Sequence, residues 1–282
     1  MKLHEPQHRA PTPSPGALSF CTESIILSLM MLMIPGQPAG AQQLETTTVA
    51  NRAPLTAEQV VQNLVQMNLF RVRALRRYQG TRTYRVEYHG FPGNRSAEMV
   101  VNMNYISPRE KEFIVQSTTG SALIIDKVFK KLLEAEKEAL DAEIQQRSAL
   151  TDENCRFTLV GYENGPSGAR YVLKVEPRAK DKFLYCGRIW VDAEDFALVR
   201  LEAEPARNPS FWTRNTEIEQ VYTKIGDFWL PSHNHSVTAI RLGGSAELTI
   251  DYKDYEITGA SEVSSLSSAR SALHAESSSA PR

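Results

Sequence analysis

The sequence predicts an α+β protein that is mainly β, with one large curled antiparallel sheet of about 10–11 strands covered by two helices. Apolar and polar residues alternate with period two in one short run after another between residues 83 and 257. Most runs are joined by short turn-rich connections, which place consecutive antiparallel strands side by side. Helical spacing occurs in only two stretches, so there is no βαβ rhythm. A sheet this wide tends to curl.

The first 41 residues have the order of a secretory signal peptide. A segment that carries Lys2 and Arg9 precedes an apolar run of 11 residues at 24–34, and the small-residue site at 39–41 follows. The run is shorter than the ~20 residues that a helix needs to cross a bilayer. We therefore predict export with cleavage after Ala41, leaving a flexible segment at 42–55. An uncleaved anchor and a buried helix of a cytosolic domain are the alternatives.

The folded domain is predicted to cover residues 56–257 and to open with a helix. Thr56 and Gln59 have the spacing of a capping box. Apolar residues then recur at helical spacing: Val60, Val61, Leu64, Val65, Leu69, Val72 and Leu75. Four arginines crowd the last turns: Arg71, Arg73, Arg76 and Arg77. We interpret them as complementing the helix dipole, with a basic lip for an anionic ligand as the alternative.

Three strands follow, and their alternation directs one set of side chains toward a common face. That set is Tyr84, Val86, Tyr88, Met99, Val101, Met103, Tyr105, Phe113 and Val115. Two helices cannot fill the whole face of a sheet this wide. We therefore expect these nine side chains to line a concave apolar cavity under the helices.

A second helix is predicted from Gly120-Ser121 to about Arg147. Its apolar stripe consists of Ile125, Val128, Leu132, Leu140 and Ile144, and its other face is charged and solvated. Eight alternating runs then fill residues 154–257. The Ser/Ala-rich tail at 258–282 is predicted to be disordered, because it cannot bury enough apolar area.

The composition and motifs give little indication of a catalytic site, a metal site or a nucleic-acid interface. With 32 basic and 33 acidic residues, no large basic field indicates a nucleic-acid partner. Cys155 and Cys186 lie two strand spacings apart in a simple meander, roughly 9.6 Å, beyond the ~7 Å bridging limit, which favours free thiols. His233 and His235 share one strand face, but a metal site needs three or four ligands. Asp192, with Glu194 and Asp195, has the pattern of a tight turn. We predict no metal, no cofactor and no enzymatic activity.

The segment from Tyr185 to Tyr255 resembles the C-terminal part of periplasmic outer-membrane lipoprotein-sorting proteins. These are relatives of the carriers LolA and LolB and of the sensor domain of RseB/MucB. The resemblance is carried by LYCGRIWVDAEDFALVRLEAEPARNPSFW and by IEQVYTKIGDFWLPSHNHSVTAIRLGGSAELTIDY. It implies an incomplete barrel of antiparallel strands, lidded by helices, with an apolar cavity for acyl chains. No single ligand-binding residue of the carriers matches a position in this chain.

These features favour a periplasmic lipid-binding or lipoprotein-binding protein, a carrier or a sensor. Its partners would be the acyl chains of lipids or lipoproteins and membrane proteins of the envelope. Two alternatives remain open. A secreted hydrolase would use residues scattered through loops, with His233, His235 and Asp192 as the only motivation. A structural envelope protein would have a filled core and no cavity.

Overall fold

The computed structural model describes residues 55–108, 110–165, 168–208, 213–241 and 243–260. Ten strands within these ranges form one sheet. They are β1 Leu75–His89, β2 Arg95–Ile106, β3 Glu110–Gly120, β4 Cys155–Gly165, β5 Gly168–Pro177, β6 Tyr185–Asp192, β7 Leu198–Pro205, β8 Thr213–Ile225, β9 Phe228–Ile240 and β10 Ser245–Ala260. Their order is β3-β2-β1-β10-β9-β8-β7-β6-β5-β4, and every neighbouring pair is antiparallel.

The helices lie before β1 and between β3 and β4. Helix α1 is Ala57–Ala74. The inserted segment begins with α2 Ala122–Ile124, continues through a π-helical turn Ile125–Phe129 into α3 Lys130–Glu138, and ends with α4 Ala142–Ser148. Because β3 and β4 are opposite edges of an open sheet, the inserted segment has to travel from one edge to the other. No helix in the described ranges is long and apolar enough to cross a membrane.

The structure confirms the mainly-β curled sheet with covering helices and refines its details. The inserted helix is interrupted, because the Asp141 side chain caps α4 by accepting from the backbone N–H groups of Glu143 and Ile144. The predicted runs FWLP and HSVTAIRL belong to one strand, β9. At the boundaries of the domain, β10 continues to Ala260, and Leu55 is buried in the core. The predicted signal peptide and nearly all of the tail lie outside the described residues.

Helix α1 begins with the predicted capping box. The Gln59 backbone N–H donates to the Thr56 hydroxyl at 3.3 Å, and the Thr56 N–H donates to the Gln59 side chain at 2.9 Å. The helix ends at Ala74, so Arg76 and Arg77 belong to β1 and do not extend its last turn. The dipole interpretation is therefore wrong for these two arginines. The dipole interpretation also does not describe Arg71, which belongs to α1 but is buried.

Two apolar clusters hold the helices against the sheet. The first packs α1 on the strands from β4 to β9, with Leu64, Leu173 and Ile189 among its members. The second packs α2, the π-helical turn and α3 on β1, β2 and β10, with Phe129 at its centre. A fully buried side chain of this size contributes about 1.5–3 kcal/mol. Cys155 is buried and Cys186 is exposed, and both are free thiols as predicted.

Candidate functional site

An apolar cavity lies between α1, the inserted segment and one end of the sheet. Its volume is about 150 Å³. Its apolar wall comes from residues distant in sequence: Val72, Leu75, Tyr78, Tyr105, Pro108, Leu140, Leu198, Tyr222, Phe228, Trp229, Leu230 and Pro231. Antiparallel order explains the convergence, because the beginnings of β1, β7 and β9 lie at the same end of the sheet as the ends of β2 and β8.

Tyrosines form one wall of this cavity. The rings of Tyr78 and Tyr105 lie 5.1 Å apart, and Tyr255 approaches Tyr78 at 6.0 Å. The Tyr105 hydroxyl donates to the backbone oxygen of Pro108 at 3.2 Å, and burial raises the pKa of Tyr105 above its ordinary value. The Tyr105 hydroxyl therefore stays protonated and uncharged at neutral pH.

Three polar residues also line the cavity: Asn68 and Arg71 of α1, which together form a polar corner, and Gln145 of α4. Asn68 and Arg71 are both buried, each with 7% of its surface exposed. Arg71 Nη1 donates to Asn68 Oδ1 and to the backbone oxygen of Phe196, both at 3.2 Å, and Nη2 donates to the backbone oxygen of Asp195. Arg71 thus ties the C-terminal half of α1 to the turn between β6 and β7.

That turn is held by the acidic residues that the sequence analysis assigned to turn chemistry. Asp192 Oδ1 accepts from the backbone N–H groups of Glu194 at 3.0 Å and Asp195 at 2.7 Å. Burial raises the pKa of the Asp192 carboxyl, although both hydrogen bonds oppose the shift. The Asp195 carboxylate lies 2.5 Å from Lys224 Nζ and accepts from Trp229 Nε1 at 2.9 Å. Through these contacts, the turn between β6 and β7 connects three elements of the cavity wall: α1, β8 and β9.

The nine side chains proposed from the sequence separate into four environments. Tyr84, Val86, Tyr88, Met99, Val101 and Met103 are fully buried, which agrees with the alternation of β1 and β2. Four of them pack in the second apolar cluster against Ile124, Val128, Phe129 and Leu132. Tyr105 lines the cavity, whereas Val115 lies on the edge strand β3 and is 48% exposed. Phe113 is half-buried and packs against both apolar clusters. That these nine contact an acyl chain stays a prediction.

A buried group of charges, which the sequence analysis did not identify, fastens α3 to the sheet. Glu136 of α3 is paired with Arg82 of β1, lies 3.7 Å from Lys111 Nζ of β3, and accepts from the Tyr84 hydroxyl at 2.6 Å. Burial alone would raise the pKa of Glu136, but the two cations and the hydrogen bonds hold it below its ordinary value. Burial, reinforced by the Glu136 charge, raises the pKa of Tyr84 well above the ordinary range. Glu136 therefore stays ionised at neutral pH.

The two histidines considered as metal ligands are each engaged by a carboxylate. His233 Nδ1 lies 2.8 Å from Asp251, and His235 Nε2 lies 2.8 Å from Glu247. Arg85 also pairs with Asp251, at 2.5 Å. Across the part of the chain that the structure describes, no three His, Cys, Asp or Glu side chains are grouped to hold a metal ion. Of the three tryptophans, Trp229 lines the cavity, Trp190 packs beneath Arg200 at 5.2 Å, and Trp212 lies outside the described ranges.

The comparisons with known proteins give structural neighbours only. No protein-family model and no curated protein matches the chain significantly. A DUF1329 family protein from Desulfovibrio piger is 11% identical, with a TM-score of 0.39 over 75% of this chain and 97% of its own. An outer membrane lipoprotein-sorting protein domain from Vibrio parahaemolyticus is 12% identical, with a TM-score of 0.38 over 77% and 99%. A LolA superfamily protein from Nitrosomonas europaea is 10% identical, with a TM-score of 0.32 over 74% and 96%. These neighbours include the kind of protein that residues 185–255 resemble in sequence.

Proposed function

We propose that this protein is exported to the periplasm and binds an acyl chain of a lipid or lipoprotein in the cavity beneath α1. The observation that carries the proposal is the cavity's lining, in which twelve mainly apolar residues accompany three polar ones, Asn68, Arg71 and Gln145. Such a lining is typical of sites that bind apolar ligands and orient them with a few polar groups. The signal-like N-terminus supports export, although it lies outside the described residues.

The size of the cavity limits the ligand. A volume of about 150 Å³ is close to that of engineered apolar cavities that hold one benzene molecule. The described cavity therefore accommodates a short part of a single acyl chain. A longer chain requires the inserted segment to move, and its interruption at residues 139–141 places Leu140 directly in the cavity wall.

We retain the nine side chains identified from the sequence as proposed contacts of a longer acyl chain. Of these, Tyr105 lines the cavity. Val101 and Met99 are buried in the second apolar cluster together with Phe129 of the π-helical turn, so an acyl chain reaches them only if the inserted segment moves away from the sheet. Under the proposal the protein is a carrier or a sensor without catalytic activity, and envelope membrane proteins deliver or receive its ligand.

A cavity-filling substitution tests the proposal. Val72 and Val65 are half-buried valines of α1, but only Val72 lines the cavity. We expect wild-type protein to bind N-phenyl-1-naphthylamine, a neutral apolar fluorophore that is larger than benzene and therefore, like a longer acyl chain, requires the inserted segment to move. Val72→Trp should weaken this binding at least tenfold by filling the space, and Val65→Trp should leave it within twofold. Overpacking costs about 1–3 kcal/mol, so thermal melts must show that both variants remain folded.

Other outcomes would favour the alternatives. If the wild type binds no fluorophore, the space is an ordinary packing defect and the structural envelope protein is the better account. If Val72→Trp and Val65→Trp bind equally well, the ligand site lies elsewhere. Release of p-nitrophenol from p-nitrophenyl octanoate, at a rate above the uncatalysed one, would instead favour the hydrolase.

A further inference from the structure

We infer that Asn68 recognises the carbonyl oxygen of the bound acyl group, which makes the cavity a site for fatty acyl carbonyl compounds and not for apolar molecules in general. This inference rests on the proposed function, because it assigns the polar end of the ligand that the cavity would hold. It comes from the orientation of one buried amide and the character of the groups around it.

The Asn68 amide has one possible orientation beside Arg71. A guanidinium group carries only hydrogen-bond donors, so the atom of Asn68 that faces Arg71 Nη1 at 3.2 Å must be the amide oxygen. The amide NH₂ group therefore points away from Arg71. This nitrogen is buried and has no hydrogen-bond acceptor among the residues that the structure describes.

A buried donor without an acceptor is unfavourable, and such groups in native proteins commonly mark the place of a ligand or an ordered water. Asn68 belongs to the cavity lining, and its NH₂ nitrogen is closed off in the described conformation, so a molecule in the cavity would reach it after a small rotation of the side chain. A polar residue is unusual at this position of α1. Asn68 lies four residues after Leu64 and four before Val72, where an apolar side chain would continue the buried face of α1.

The surroundings define the atom that Asn68 would bind. Arg71 lies beside it and donates to the backbone oxygens of Asp195 and Phe196, whereas the Asp195 carboxylate is engaged by Lys224 and Trp229. The corner thus presents donors and a positive charge, which favour an oxygen that carries partial or full negative charge. The rest of the lining is mainly apolar. A ligand that matches both the polar corner and the apolar lining has one acceptor oxygen on an alkyl chain.

Two sources supply this chemistry, a free fatty acid and an esterified acyl group. Octanoate, methyl octanoate and 1-chlorooctane have the same chain, and only the first two carry a carbonyl oxygen. We expect wild-type protein to bind the carbonyl compounds at least tenfold more tightly than 1-chlorooctane, as measured by displacement of N-phenyl-1-naphthylamine. Tenfold corresponds to about 1.4 kcal/mol. Tighter binding of octanoate indicates a free acid, and tighter binding of methyl octanoate indicates an esterified acyl group.

Substitution of the amide then isolates its contribution. Asn68→Leu should reduce the preference for carbonyl compounds to less than threefold while 1-chlorooctane still binds. The control Asn63→Leu changes another asparagine of α1 that is outside the cavity lining and should keep the full preference. A second measurement does not depend on the variant's folding. In wild-type protein, the side-chain ¹⁵N–¹H₂ signals of Asn68 should shift when octanoate is added and stay unchanged with 1-chlorooctane.

The outcomes separate this inference from the proposed function. If the fluorophore binds but wild type does not prefer carbonyl compounds, the amide holds only water, the inference is overturned, and the apolar site stands. An unchanged preference in folded Asn68→Leu, or unshifted Asn68 amide signals with octanoate bound, overturns it in the same way. If neither the fluorophore nor any alkyl compound binds, the result contradicts the proposed function itself.

Discussion

The buried charges beneath α3 provide the sharpest test of how the inserted segment is held. Glu136 is 4% exposed and faces two cations, Arg82 at 2% and Lys111 at 6% exposure. Glu136→Gln keeps the size of the side chain, so little cavity forms. The substitution leaves both cations buried without their carboxylate. Removing one partner of a buried ion pair costs about 3–5 kcal/mol, and we expect a loss of this size in the free energy of unfolding.

The assay is urea unfolding at pH 7, followed by circular dichroism and by tryptophan fluorescence. Glu138→Gln is the matched control, because Glu138 lies on the same helix but is exposed, and it should change stability by less than about 0.5 kcal/mol. Replacing the whole charged group with methionines, at positions 82, 111 and 136, should recover most of the loss, since apolar residues often substitute for buried ion pairs without cost. A loss below about 1 kcal/mol in Glu136→Gln would refute the reasoning.

Three further predictions concern pH, thiol reactivity and export. The pKa of Glu136 is lowered in the folded protein from an ordinary value of 4.5, so its stabilising effect is complete above that pH. The stability difference between wild type and Glu136→Gln should therefore shrink as unfolding is measured from pH 5 down to pH 3, and a constant difference would contradict the assigned ionisation. A maleimide should label exposed Cys186 rapidly in the native protein and buried Cys155 only after denaturation, and mass spectrometry of peptides decides this. N-terminal sequencing of the envelope fraction should find Gln42, whereas recovery of an intact Met1 chain in the cytosol would overturn the predicted export.

The strands of the sheet could be predicted because the burial pattern of each strand follows from its own sequence. β1 and β2 alternate buried and exposed residues as their sequences do. The sequence predicted about 10–11 strands and not a single number because Pro231 reads as the end of a strand, since proline lacks the N–H that a ladder needs. In the structure β9 passes through Pro231, opposite an irregularity in β8 between Val221 and Tyr222, where the regular ladder is already interrupted.

The sequence indicates which charged residues are buried beneath α3, but it does not indicate which of them contact one another. Arg82 is in phase with the inward-facing Tyr84, Lys111 is in phase with Phe113, and Glu136 falls four residues after Leu132 on the apolar stripe of the helix. A charge on an apolar face indicates a buried ion pair, because an unpaired one is strongly disfavoured. Which charges meet depends on how α3 crosses the sheet, and periodicity carries no such information.

The cavity could not be predicted for a related reason. Of the nine side chains proposed for the site, Tyr105 alone lines it, because the helix covers most of the others closely. Its wall combines α1, the interruption after α3 and the ends of five strands. Periodicity shows which face of an element is buried but not where two covering helices leave a gap. Asn68 was the local clue, as a polar residue on the apolar stripe of α1.

Photo-crosslinking with a diazirine-bearing fatty acid tests acyl-chain binding in the cavity, because it reports where an acyl chain lies on the folded protein. The account predicts that mapped crosslinks concentrate on the cavity wall, at Val72, Tyr78 and residues 228–231, and that excess octanoate suppresses them. Crosslinks confined to residues 99–103, or spread evenly over the exposed face of the sheet, would contradict the cavity as the binding site. Absence of any crosslink would contradict acyl-chain binding itself.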